Sequence, residues 1–243
     1  MAHLILGLWF TLASFLQTGI GFGLPIIAMM LLVRMFPYNT AIAVCQCIAL
    51  ANTIYLTTKY RKSIDYKLLM PLLVPSVVIG VITTIFAFKI ETQYLELFLG
   101  VFFVILALYF LFFKEKIKYK PNKLAAWLLG IVNGAINGFF GIGGPLAVFY
   151  VFPQCESKEK YLGTISLYFT VCNIINVAIR IMLGALSFSL FSYFTVGWLG
   201  VFVGVYLAGL VFKRVDGEKL KTLVYLFVLL NGMYMIYTHY YPI

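Results

Sequence analysis

The chain has 243 residues, of which 63% are hydrophobic and only 11% charged, with a mean hydropathy of +1.01. Soluble domains sit nearer half apolar and a quarter charged, and one core of this length could not hide so much apolar surface. A water-soluble protein is therefore excluded, and the net charge of +10 reads as the basic loops of a cytoplasmic membrane face, with no nucleic-acid partner expected.

In lipid every backbone N–H and C=O must be paired within the chain, which leaves helices or a closed barrel. The apolar runs are continuous over about twenty residues without a period of two, so the expected class is all-α. Between charged punctuation lie eight segments, at 4–33, 40–58, 68–88, 94–113, 124–152, 161–185, 190–212 and 220–239. The start, Met1-Ala2-His3-Leu4, lacks a basic leader region, so the first segment is expected to be retained.

The first and fifth segments stand apart. At about thirty residues each they would measure roughly 45 Å as straight helices, against a hydrocarbon core of about 30 Å. Each has a glycine cluster and a proline near its middle, Gly21-Phe22-Gly23-Leu24-Pro25 and Gly141-Ile142-Gly143-Gly144-Pro145, and these residues break helices. Each segment is either one long kinked span or a hairpin of two half-helices.

The two clusters align at a shift of 120. Beyond them Asn52 meets Asn173, Lys59 meets Arg180, Gly80 meets Gly204 and Lys89 meets Lys213, with the shift drifting only to 124. This constancy indicates an internal duplication, residues 1–120 and 121–243. The seven connections carry 1, 4, 1, 5, 2, 1 and 4 Lys and Arg residues in order. If all eight segments cross, the two sides hold 8 and 10; if the first and fifth do not, they hold 15 and 3. The positive-inside rule selects the second arrangement. Three crossings per half then invert one half relative to the other. The expected fold is a polytopic membrane protein of two inverted repeats, each a broken-helix hairpin followed by three transmembrane helices. It lies in the cell membrane with both termini outside and loops 59–67, 114–123 and 213–221 in the cytoplasm.

The breaks are where chemistry is expected. Proline suits the first turn of a new helix because its missing N–H would have been unpaired there. Glycine before it lets a ligand approach the backbone. A helix that starts inside the membrane aims free N–H groups and a positive dipole end at whatever lies there, which suits an anion. Candidate binding residues are thus Gly21, Gly23, Pro25, Gly141, Gly143, Gly144 and Pro145. Gln17 and Asn137 stand six residues before Gly23 and Gly143, and Asn52 and Asn173 are equivalent in the following helix. Ser166, Thr170, Asn173 and Arg180 share one helical face. Arg180 either anchors the anion or reaches to the interface. The plainer reading stays beside these: Gly and Pro serve helix packing, and Ser, Thr and Asn bond between helices.

All eight acidic residues fall in loops or at helix ends, His3 and His239 sit at the termini, and Cys45, Cys47, Cys155 and Cys172 form no zinc pattern. No metal, cofactor or catalytic nucleophile is expected, and no nucleotide-binding Lys-Ser/Thr follows the glycines. Trp9, Trp127 and Trp198 read as interfacial anchors or packing.

The duplicated four-segment layout and the two motifs, Gly19-Ile20-Gly21-Phe22-Gly23-Leu24-Pro25 and Gly138-Phe139-Phe140-Gly141-Ile142-Gly143-Gly144-Pro145, resemble the sulfite exporter TauE/SafE family, also described as toluene sulfonate uptake permeases. The resemblance implies a secondary transporter of small anions such as sulfite and organosulfonates, with the motif glycines and prolines, Asn52 and Asn173 as site residues. Leu24 departs from the second copy, which has Gly144 there. Two other classes stay open: a non-transporting membrane subunit or scaffold, and a metal or cation permease using Cys45, Cys47 and Cys172. A reporter fused after Ile243 should be active only outside the cytoplasm; a cytoplasmic signal would reverse the orientation.

Overall fold

The computed structural model describes residues 2–20, 23–112, 122–211 and 217–241. Ten α-helices occupy them: α1 (Ala2–Ile20), α2 (Leu24–Met35), α3 (Tyr38–Lys59), α4 (Tyr66–Ala87), α5 (Thr92–Phe112), α6 (Lys123–Phe140), α7 (Gly144–Val151), α8 (Lys158–Met182), α9 (Phe191–Val211) and α10 (Gly217–Tyr240). No strand occurs among the described residues. Several starts follow from capping chemistry. The side chains of Asp65, Asn122 and Ser157 accept from the backbone N–H of Leu68, Ala125 and Lys160 at 2.8–3.1 Å. Asp65 also takes the ammonium of Lys160 at 2.9 Å, and that hydrogen bond holds its carboxyl below the usual carboxylate range.

Six of these helices, α3, α4, α5, α6, α8 and α9, are long and apolar enough to cross a bilayer. Their packing runs inside out relative to a soluble protein. Met70, Val74, Val78, Ile82 and Ile85 on α4, and Phe98, Val101, Ile105 and Leu108 on α5, face outward at helical spacing. Ser14, Gln46, Asn52, Ser76, Thr84, Asn133, Asn173 and Asn176 are buried inside. Only lipid makes that exchange favourable, and the chain is a multi-pass membrane protein.

The two long segments are broken. Trp9 Nε1 donates to the carbonyl of Ile27 at 2.8 Å, eighteen residues on. In a straight helix that separation would be about 27 Å, so α2 turns back along α1. In the fifth segment Asn133 Nδ2 reaches the Gly143 carbonyl at 2.6 Å across ten residues, and α7 folds back likewise.

Helix directions follow from the contacts. Asn39 meets Arg180, Thr57 meets Thr170 and Tyr60 lies beside Gly163, so α3 and α8 are antiparallel. Tyr94 lies beside His239 and Gly100 beside Gly232, so α5 and α10 are antiparallel as well. By contrast α1 and α9 run side by side in one direction, His3 beside Ser192 and Gly7 beside Val196. So do α4 and α6, Leu72 beside Gly130 and Ser76 beside Gly134. The apolar interior falls into two clusters. One is centred on α1, α2, α3 and α5, the other on α4, α6, α7 and α8. Cys45 packs in the first and Cys172 in the second, while Trp9 and Trp198 turn their indole N–H groups to interior carbonyls.

Gly134 lets the α4 and α6 backbones touch: a Cβ there would lie 2.5 Å from the Ser76 carbonyl oxygen. Gly134→Val is expected to lower the detergent melting temperature, at an overpacking cost of about 1–3 kcal/mol or more. Gly209→Ala, with nothing within 4 Å of the added carbon, should leave it unchanged or raise it.

Candidate functional site

Both breaks end in the backbone geometry their residues allow. Gly23 precedes α2 at φ 117° and Gly141 closes α6 at φ 69°, the left-handed region that side chains resist. The Gly141 N–H returns to the Asn137 carbonyl at 2.8 Å. Pro25 and Pro145 both stand in the first turn of their new helices, where a lost N–H costs nothing. At α2 the Leu24 N–H is taken by Gln17 Oε1 at 3.1 Å. Neither Gly23 nor Gly143 supplies a side-chain cap.

The two breaks meet at one small hollow. It is lined by Gln17, Gly23, Pro25 and Ile26 from the first, Asn137, Gly141, Ile142, Gly143 and Gly144 from the second, Ala49 and Thr53 from α3, and Phe169 and Asn173 from α8. Its volume is about 20 Å³, room for a single water-sized occupant. Asn173 is 7% exposed and opens onto the hollow with no hydrogen bond to the described protein. Asn137 Oδ1 accepts from Gln46 Nε2 at 3.4 Å. Every lining side chain is neutral.

Of the residues expected from the sequence, Gln17, Gly23, Pro25, Asn137, Gly141, Gly143, Gly144 and Asn173 are thus brought together. Gly21 lies outside the described residues. Pro145 is buried one residue past the lining. Asn52 is buried beside it, where neither side-chain atom has a partner, and its neighbour Thr53 takes the lining position. Thr170 bonds the Ser166 carbonyl and meets the Thr57 hydroxyl at 3.1 Å, joining α8 to α3.

Arg180 neither lines the hollow nor reaches the interface. It is fully buried, donates from Nη2 to the Gly138 carbonyl and from Nη1 to Asn39 Oδ1, both at 2.7 Å, and lies 5.7 Å from the Phe88 ring centre. Tyr38 adds a hydroxyl to the Phe139 carbonyl at 3.1 Å. The end of α6 carries free carbonyls and a negative dipole end. A cation placed there offsets the negative end of α6.

A polar network behind α7 is absent from the sequence reading. Asn133 Nδ2 donates to the Gly143 carbonyl and to Tyr168 Oη, Tyr168 donates to Ser76 Oγ at 2.9 Å, and Ser76 donates to the Leu72 and Gly130 carbonyls. Thr84 meets Asn176 at 3.4 Å. The signal was present: Asn133 lies one turn before Asn137, and Asn176 one turn after Asn173.

Broken helices closing on an amide-bearing hollow inside a multi-pass bundle match the architecture of a membrane permease. The chain belongs to the sulfite exporter TauE/SafE family, whose model matches residues 6–235. It is similar to the probable sulfite/organosulfonate exporter TauE of Cupriavidus necator (strain H16), with 25% identity over 179 residues, which cover 72% of this chain and 70% of that one. No solved structure matches it.

Removing the Arg180 guanidinium strands two buried acceptors, at about 1–3 kcal/mol each. Arg180→Gln is expected to melt well below the parent protein in detergent, and Arg180→Lys, which can reach one acceptor, at an intermediate temperature.

Proposed function

We propose that this permease is a secondary transporter of small anions, sulfite, an organosulfonate or a related oxyanion, bound between the two half-helix amino ends. The observation that carries the reading is the hollow itself, where α2 and α7 both begin and where Gln17, Asn137 and Asn173 add amides. An amide presents N–H donors to an oxyanion without carrying charge. Leu24 gives its N–H to Gln17, so α7, with Gly143 and Gly144 ahead of Pro145, contributes the more open backbone. The sulfite and organosulfonate named for the similar Cupriavidus protein fit that chemistry.

The chain acts as two inverted repeats, 1–120 and 121–243. Support comes from the helix pairs. Exchanging α1 to α5 for α6 to α10 maps the α1–α9 contact onto α6–α4, and leaves α3–α8 and α5–α10 as self-pairs. Equivalent helices that lie antiparallel, as α3 and α8 do, are what inversion requires. The first and fifth segments enter and leave the membrane on one side. The protein lies in the cell membrane with both termini outside, in line with the 15 to 3 division of basic residues.

The hollow is too small for a sulfonate, so the arrangement described is closed around an empty-sized site, and transport needs one repeat to rock against the other. Asn52 supports this. A buried amide without partners is costly, and Asn52 sits one residue from the lining, placed to meet the ligand when α3 turns. The work is transport, not catalysis.

Purified protein in liposomes should take up methanesulfonate when a positive-inside potential is applied. Asn173→Leu and Gly143→Leu, which fill the hollow, should each cut the flux at least about tenfold, equivalent to about 1.4 kcal/mol, with normal membrane insertion. Full flux in both variants would place the site elsewhere.

A further inference from the structure

The charge of the occupant can be read from what surrounds it. The hollow is lined by three amides, one hydroxyl, glycine backbone and apolar side chains. Two short helices begin there, and each contributes a fixed positive end of roughly half an elementary charge. Arg180 is the one charged side chain in the fully buried set among the described residues. Its partners are the Gly138 carbonyl, Asn39 Oδ1 and the Phe88 face, with the Tyr38 hydroxyl beside it. Glu96 of α5 is half-buried and outside that set.

Taking an ion from water costs free energy that rises with the square of its charge, so a dianion costs about four times what a monoanion does. The attraction to fixed dipoles and to one cation rises only linearly, about twofold. Each further charge on the occupant therefore adds more desolvation cost than attraction, unless charged partners are added at the site. Here the lining offers neutral donors, and Asn173 is the buried amide left without a partner and turned into the hollow.

From this balance we infer that the site accepts singly charged anions and rejects doubly charged ones, so a diprotic acid crosses as its proton-bearing monoanion. The inference rests on the transport reading above. For sulfite the species that moves is hydrogensulfite, HSO₃⁻. On the far side it dissociates to SO₃²⁻ and H⁺, so the substrate itself carries the proton across and no protein acid or base takes part. A sulfonate, with one charge at every ordinary pH, carries none.

The test uses the wild-type protein in liposomes with a trapped pH dye, with the same pH on both sides at the start. Methanesulfonate and sulfite are compared across the second ionisation of sulfite, which lies near neutrality. Protein-free vesicles and vesicles holding heat-denatured protein subtract any sulfur dioxide that diffuses through lipid. Methanesulfonate flux should stay flat with pH and leave the interior pH unchanged. Sulfite flux at constant total concentration should fall roughly tenfold for each pH unit above that ionisation, and each uptake should acidify the interior. If both anions move but sulfite flux stays flat or rises with pH, without acidification, the charge selection is wrong and the transport reading stands. If neither anion moves above the controls, the transport reading fails and takes the inference with it.

Discussion

Hydrocarbon offers backbone groups no water, so a chain that interrupts a helix inside a bilayer must satisfy the freed groups itself. The rest of this structure depends on how that requirement is met on either side of the first break, at Gln17 and at residues 23–24, and at residues 140–144 of the second. Gly141 turns its N–H back to Asn137, Gln17 covers Leu24, the prolines remove donors that would have stayed unpaired, and Arg180 and Tyr38 cover carbonyls at the end of α6. Gly143 and Gly144 of the second break line the hollow beside Asn137 and Asn173.

Arg180 shows why a conspicuous charge is a poor guide to a ligand. A guanidinium buried without a carboxylate would be expensive, but here it meets a carbonyl, an amide oxygen and an aromatic face. Its charge is spent on the negative end of a helix. That placement ties the starts of α3 and the ends of α6 and α8 into one knot, a few residues from the bottom of the hollow.

The helical class, the two breaks and most helix limits were legible because they rest on composition and on Gly and Pro, whose effects are local; that α6 alone is long and apolar enough to cross a bilayer was not expected of half a hairpin. Segment 4–33 resolves into α1 and α2, and 124–152 into α6 and α7, at the residues that break helices. The site was legible in part. Gln17, Asn137 and Asn173 project into it, whereas Asn52 and Thr53 differ by 100° around α3, and only packing against α8 decides which faces the hollow. Thr170 belonged to the same stripe as Asn173 yet serves the α3–α8 joint. The Asn133–Tyr168–Ser76 network joins three helices far apart in sequence, and no single-helix pattern announces such a meeting.

The pairing of α1 with α9 has a consequence for biosynthesis. α1 lays Gly7 and Ser14 against partners near residues 196–204, so its docking surface is completed only once α9 has been made. Non-local contacts of this kind delay assembly. Until α9 inserts, α1 must wait in the bilayer with its Gly7 and Ser14 flank uncovered.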